Sequence, residues 1–103
     1  MIARIWHGKT KASDATAYLE YLFKSGMPAY RATTGNKGAW VLRRIDNEVA
    51  HFITLSFWES QEAIAAFAGP DITVAKYFPE DAKYLLEFEP TVMHFELFES
   101  VTR

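Results

Sequence analysis

The chain contains no cysteine, which excludes disulfides, thiol nucleophiles and thiolate metal sites and leaves packing alone to hold the fold. It has no run of about 18 apolar residues, so nothing in it reads as a membrane span. A basic excess is missing too. Against 13 Asp and Glu stand 11 Lys and Arg, a net charge of −2, and apart from Arg43-Arg44 the cations are scattered, which argues against a nucleic-acid partner. Histidine is scarce, with three in 103 residues, none at metal-ligand spacing and none with an acid to complete a triad. The expectation is therefore no metal and no cofactor. The first residues, MIARIWHGK, carry Arg4 and His7 within their apolar stretch and lack a small-residue cleavage site, so they do not read as a signal peptide. A cytoplasmic protein without membrane contact is expected. No repeat, linker or low-complexity stretch divides the chain, and residues 1–103 read as one domain.

What is abundant is apolar and aromatic surface. Half of the residues are hydrophobic and 16% aromatic, which is generous for so small a domain. Such a surplus calls for a second buried surface, such as a dimer interface, or an apolar ligand cavity, or both.

Along the chain, residues 2–8 alternate with a period of two and suit a strand. Ala15, Tyr18, Leu19, Leu22 and Phe23 repeat at three and four residues, the stripe of an amphipathic helix capped at Ser13 or Asp14, ending near Gly26 and interrupted by Met27-Pro28. A loop over 33–38 precedes a second strand over 39–45, and Asp46-Asn47-Glu48 forms a hairpin turn into a third strand over 49–58. That strand hands over at once to a short helix, with Ser60 as N-cap, Glu62 in the first turn and Gly69-Pro70 as the stop. An irregular stretch over 70–79, a helical turn over 80–88 begun by Pro79, and a fourth strand over 91–99 complete the order β-α-β-β-α-β. This is the split βαβ, ferredoxin-like arrangement, an α+β fold. A four-stranded sheet with helices on one side leaves its other face bare, and large side chains such as Trp6 on that face would need a partner.

The segment SFWESQEAIAAFAG, with the strands before and after it, resembles the antibiotic biosynthesis monooxygenase family of small dimeric α+β barrel proteins. The resemblance extends from Ile2 to about Phe98. It implies a ferredoxin-like protomer with a four-stranded antiparallel sheet, paired with a second copy into a dimeric α+β barrel. Haem-degrading members of that family carry an Asn late in the first strand, a Trp in the second helix and a haem-ligating His after it. At the matching positions this chain has His7, Phe67 and Tyr77, so the resemblance speaks against haem degradation, although tyrosine can ligate haem iron. Quinone-forming members oxidise polycyclic phenols with molecular oxygen and neither metal nor flavin, and Trp58 and Tyr77 are compatible with that chemistry.

Taking strands one and three to run in one direction and two and four in the other, the three tryptophans, His7 and His94 should gather at one edge of the sheet. His51 and Arg43-Arg44 then fall at the opposite edge. The parity of His7 sets it with Ala3 and Ile5, away from Trp6, on the face expected to lie under the helices. The candidate catalytic groups are His7, as a base within an apolar void, and Tyr77, whose phenol would hydrogen-bond an enolate or a bound oxygen species. Trp58, Phe67, Phe23 and His94 are the candidate substrate-binding residues. Structural roles compete with each: Trp58 as a core or rim residue, Trp6 and Trp40 as interface, His7 as a hydrogen-bonded strand-end histidine, His94 as a solvated outward residue. The irregular stretch 74–81 can cover the mouth of a cavity, and Glu87 and Glu89 read as a solvated face. The function expected is a cofactor-independent monooxygenase acting, as a homodimer, on a small planar aromatic or phenolic molecule. A non-catalytic dimeric small-molecule binder and a haem-handling protein are the alternatives.

Overall fold

The computed structural model describes residues 1–98. Strand β1 (Ile2–Lys11) leads through a single 3-10 turn (Ala12–Asp14) into α1 (Ala15–Lys24), whose buried Ala15, Tyr18 and Leu22 follow the helical period. The interruption expected at Met27-Pro28 falls two residues earlier. Ser25 folds its hydroxyl back onto the Tyr21 carbonyl at 2.7 Å, and a second helix, α2 (Gly26–Ala32), starts at once. Pro28 sits in its first turn, where a missing N–H costs nothing. Strand β2 (Asn36–Asp46) begins three residues before the point expected and joins β3 (Val49–Trp58) through a two-residue hairpin in which Asn47 takes φ of 56°.

The corner after Trp58 forms as its residues dictate. Ser60 caps α3 (Gln61–Ala68) by accepting a hydrogen bond from Ala63 N at 3.1 Å, and Gly69, at φ of 102°, ends it. The helical turn expected over 80–88 contracts to a 3-10 turn at Asp81–Lys83. The chain after it lies along the free edge of β1, where Leu86 N donates to Lys9 O at 2.9 Å. Strand β4 (Met93–Glu96) is shorter than expected, and Glu99, the last residue of the expected strand, lies outside the described residues.

The four strands form one antiparallel sheet in the order β2-β3-β1-β4, the ferredoxin-like fold. The helical crossovers connect β1 to β2 and β3 to β4, so each connected pair runs one way, and β3 lies between β1 and β2 in the opposite direction. The expectation that strands one and three are parallel is therefore corrected: β1 pairs antiparallel to β3, with Ile2 opposite Trp58 and His7 opposite Ile53. Trp58 and His7 lie toward different ends of the sheet in consequence, and the expected gathering of three tryptophans with His7 and His94 does not occur.

Side-chain parity sorts the two faces. Under the helices, Ala50, Phe52, Thr54, Ser56 and Trp58 of β3 are all buried, and Arg4, Trp6, Gly8 and Thr10 of β1 lie beside them. Burying each large apolar side chain here contributes about 1.5–3 kcal/mol. Two clusters result, one around Trp6, Tyr18, Leu22 and Phe52, the other around Tyr30, Trp58, Ile64 and Phe67. The opposite face has no helix over it. Reading across the strands, its rows are Ala3, Phe57 and Phe95, then Ile5, Leu55, Trp40 and Met93, then His7, Ile53 and Leu42, and finally Lys9, His51 and Arg44. Apolar character is concentrated at one end and cationic character at the other.

Candidate functional site

Where α1, α2, α3 and the 76–81 segment close over the sheet, Trp6, Tyr18, Tyr30, Phe67, Phe78, Lys76 and Asp81 surround an interior cavity of about 20 Å³, room for one water. Aromatic packing brings these groups together. Tyr30 stacks on Phe67 with centroids 4.6 Å apart, and Trp6 meets Tyr77 edge-on at 6.2 Å.

The polar groups are set by a few hydrogen bonds. Asp81, only 3% exposed, accepts from the Tyr18 hydroxyl at 2.8 Å and from Phe78 N at 2.6 Å. Tyr30 and Thr54 share a hydrogen bond of 2.9 Å. Lys76 Nζ donates to Phe67 O at 2.8 Å and lies 4.8 Å above the Phe67 ring, with Phe78 at 5.6 Å. Burial, first, and the charge of Asp81, second, push the Tyr18 phenol far above its ordinary value. Burial likewise raises Tyr30 and Tyr77. All three hydroxyls are thereby kept protonated. The buried Trp6 Nε1 has no hydrogen-bond acceptor in good geometry, and the polar group beside it is the Tyr77 hydroxyl, outside the cavity.

Behind the cavity, Arg4 is buried to 1% exposure and ties β1 to the irregular segment. It donates to Ile72 O at 2.6 Å and Val74 O at 3.3 Å and lies 3.0 Å from His94 Nε2. No carboxylate of the described residues pairs with it, and burial lowers its pKa.

The residues expected from the sequence are thus dispersed. Phe67 lines the cavity. Tyr77 packs on Trp6 and Phe88 just outside it, its hydroxyl donating to Glu89 O at 2.5 Å. Trp58 is fully buried beneath α3, with its indole N–H on Ser56 Oγ at 2.9 Å. Phe23 is 57% exposed and lines a separate outer cleft of about 350 Å³ with Met27, Pro28 and Arg31. His94 supports Arg4. His7 stands on the uncovered face of the sheet, not under the helices: the residues of its parity are those that the helices leave free, and Trp6, expected on the bare face, is the one they cover.

Two further corrections concern the surroundings of His7. His51 sits beside His7, with Nδ1 3.2 Å from His7 Nε2, and Arg43 and Arg44 join them around one pocket. Glu89 is not merely solvated, since its Oε2 lies 2.5 Å from His7 Nδ1, while Glu87 pairs with Lys9 at 2.6 Å. Sequence reasoning missed Asp81, Lys76, Tyr18 and Arg4 as interior polar groups. A tyrosine in the apolar stripe of α1 was the one available signal, because a buried hydroxyl requires a partner.

No family model and no curated protein matches the chain. Solved structures do. A mutant of MhuD with two manganese protoporphyrin IX molecules bound per active site is 24% identical at a TM-score of 0.62, over 100% of both chains. The haem degrader MhuD from Mycobacterium tuberculosis with two haems in its active site is 24% identical at 0.60, over 99% of this chain and 100% of that one. A putative antibiotic biosynthesis monooxygenase from Bacillus cereus is 13% identical at 0.68, over 100% of this chain and 98% of that one. The chain has the antibiotic biosynthesis monooxygenase-like fold, and at these identities the likeness establishes the fold alone. Among the described residues no helix is long and apolar enough to cross a membrane.

Proposed function

We propose that this protein is a cytoplasmic, cofactor-independent monooxygenase that takes a small planar phenolic or aromatic molecule between its sheet and its helices. The observation that carries the reading is the interior constellation: aromatic walls from Trp6, Tyr30, Phe67 and Phe78 around a buried carboxylate and an ammonium. Asp81 would take the proton from the substrate's acidic carbon, Lys76 and the Tyr30 hydroxyl would stabilise the resulting anion, and the anion would reduce oxygen. A CH₂ group and O₂ then give a carbonyl and water, four electrons passing from carbon to oxygen. Entry requires Lys76 and Phe78 to move aside, because the resting cavity is far smaller than such a substrate. His7, on the other face of the sheet, is not the base in this scheme.

The apolar end of the uncovered face suits a second copy of the chain. Trp40, Met93 and Phe95 are each more than half exposed there, and a contiguous apolar patch of this kind is unusual on a monomer.

A haem-handling role is the second reading, motivated by the two porphyrin-bound neighbours. It fits the residues less well. None of the described histidines borders the interior cavity, and the Tyr77 hydroxyl is engaged with Glu89 O. The test is oxygen uptake with naphthols, anthrones and quinols and no added metal, flavin or haem. Turnover that collapses in Asp81→Asn supports the oxygenase. A Soret band on haemin titration with no uptake by that panel would replace it with the haem reading.

A further inference from the structure

On the uncovered face, Glu89 Oε2, the His7 ring and the His51 ring form a line of hydrogen bonds of 2.5 and 3.2 Å. The ring centroids of the two histidines are 5.4 Å apart, so the facing nitrogens lie nearly on the line between the rings and point at each other. The protons can be assigned from this geometry. A carboxylate only accepts, so His7 Nδ1 carries a proton. With both rings neutral, His7 Nε2 must then accept, and His51 Nδ1 must donate to it. This leaves His51 Nε2 as a bare acceptor whose tautomer is held by two residues behind it.

That acceptor belongs to a pocket of about 390 Å³ lined by His7, His51, Leu42, Ile53, Arg43 and Arg44. Arg44 lies directly across from His51 in the strand register. Arg43, across from the buried Phe52, has the parity of the helix-covered face, and Arg44 forms no salt bridge among the described residues, whereas Lys9 nearby is neutralised by Glu87. The pocket therefore combines unpaired guanidinium charge, an apolar floor and one oriented hydrogen-bond acceptor.

We propose that this pocket is a binding site for a small aromatic hydroxycarboxylate, separate from the interior cavity. The carboxylate is held by Arg44, whose planar fork matches it in geometry and charge. The ring lies against Leu42 and Ile53. The hydroxyl donates to His51 Nε2, and the Glu89 and His7 hydrogen bonds set the tautomer that leaves that nitrogen bare and aimed.

The test is long-range ¹H–¹⁵N correlation of the imidazoles in the full-length protein, in its solution assembly, during titration with 4-hydroxybenzoate, benzoate and phenol. Without ligand, both rings carry their proton on Nδ1. On titration with 4-hydroxybenzoate, His51 Nε2 shifts saturably, with Leu42 and Ile53. Affinity falls roughly tenfold in Arg44→Gln and for benzoate, each of which removes one polar contact. Arg44 is exposed, so this variant retains its fold, and Arg31→Gln, on α2 beside the outer cleft, leaves the affinity unchanged. An absence of saturation, equal affinity in Arg44→Gln, or a His7 ring protonated on Nε2 in the free protein overturns the proposal.

Discussion

Arg4 and His94 meet across β1 and β4, with a guanidinium nitrogen 3.0 Å from His94 Nε2. Arginine only donates, so that ring nitrogen accepts and the imidazole is neutral, with its proton on Nδ1. Burial first, and the charge of Arg4 second, lower the His94 pKa below the ordinary 6.5. The unfolded chain therefore binds this proton before the folded chain does. Stability is full above the unfolded value and declines as pH falls from there toward the lower folded value. Urea unfolding at a series of pH values should show this decline, and His94→Gln should flatten it.

Arg4 fastens the irregular segment to the sheet through the carbonyls of Ile72 and Val74. Arg4→Met removes both bonds and leaves the acceptors behind, a loss of about 2–4 kcal/mol. Arg4→Lys should recover only part of it, because an ammonium cannot reproduce the spread of the fork. Chemical denaturation of both variants measures the difference.

Tyr18→Phe deletes one of the two bonds that hold the buried Asp81. The expected loss is about 1–3 kcal/mol in stability. If Asp81 is the interior base, oxygen uptake with a reactive phenol falls as well, which steady-state rates in the variant would read directly.

A methyl group at Gly8 would lie 2.5 Å from Trp6 Cη2 and 3.0 Å from Leu85 Cδ2. Gly8→Ala must therefore displace the indole that walls the cavity. A destabilisation of about 1–3 kcal/mol is expected, together with a changed near-ultraviolet dichroism from Trp6.

Trp40→Asp places a charge in the apolar rows of the uncovered face, where Trp40 is 55% exposed and contributes little to the protomer's own core. Light scattering should show a smaller assembly while far-ultraviolet dichroism stays unchanged. An unaltered assembly would place the interface elsewhere.

The βα corner was readable because its signals are local: Ser60, Glu62, Gly69 and the apolar spacing between them act within a dozen residues. The hairpin at Asn47 was readable for the same reason. What was not readable depends on which strands are neighbours. His7 and His51 are 44 residues apart, and Glu89 reaches His7 across 82, so no spacing rule could join them. Once β3 is reversed, residues assigned to opposite edges become partners. Asp81 was hidden differently: an acid in a charged loop ordinarily faces water, and only the closing of that loop over Tyr18 buries it.

The interior cavity is narrowed at rest by the protein's own side chains, among them Lys76, whose Nζ lies over the Phe67 and Phe78 rings. A guest bound there would be a rival of the side chains for one volume, taxed by the work of eviction, which lowers apparent affinity in proportion to how seldom the space is vacant. Small fragments would fail that toll, while a flat molecule large enough to replace the evicted ring contacts would not. Such a lock would be selective because it is already full.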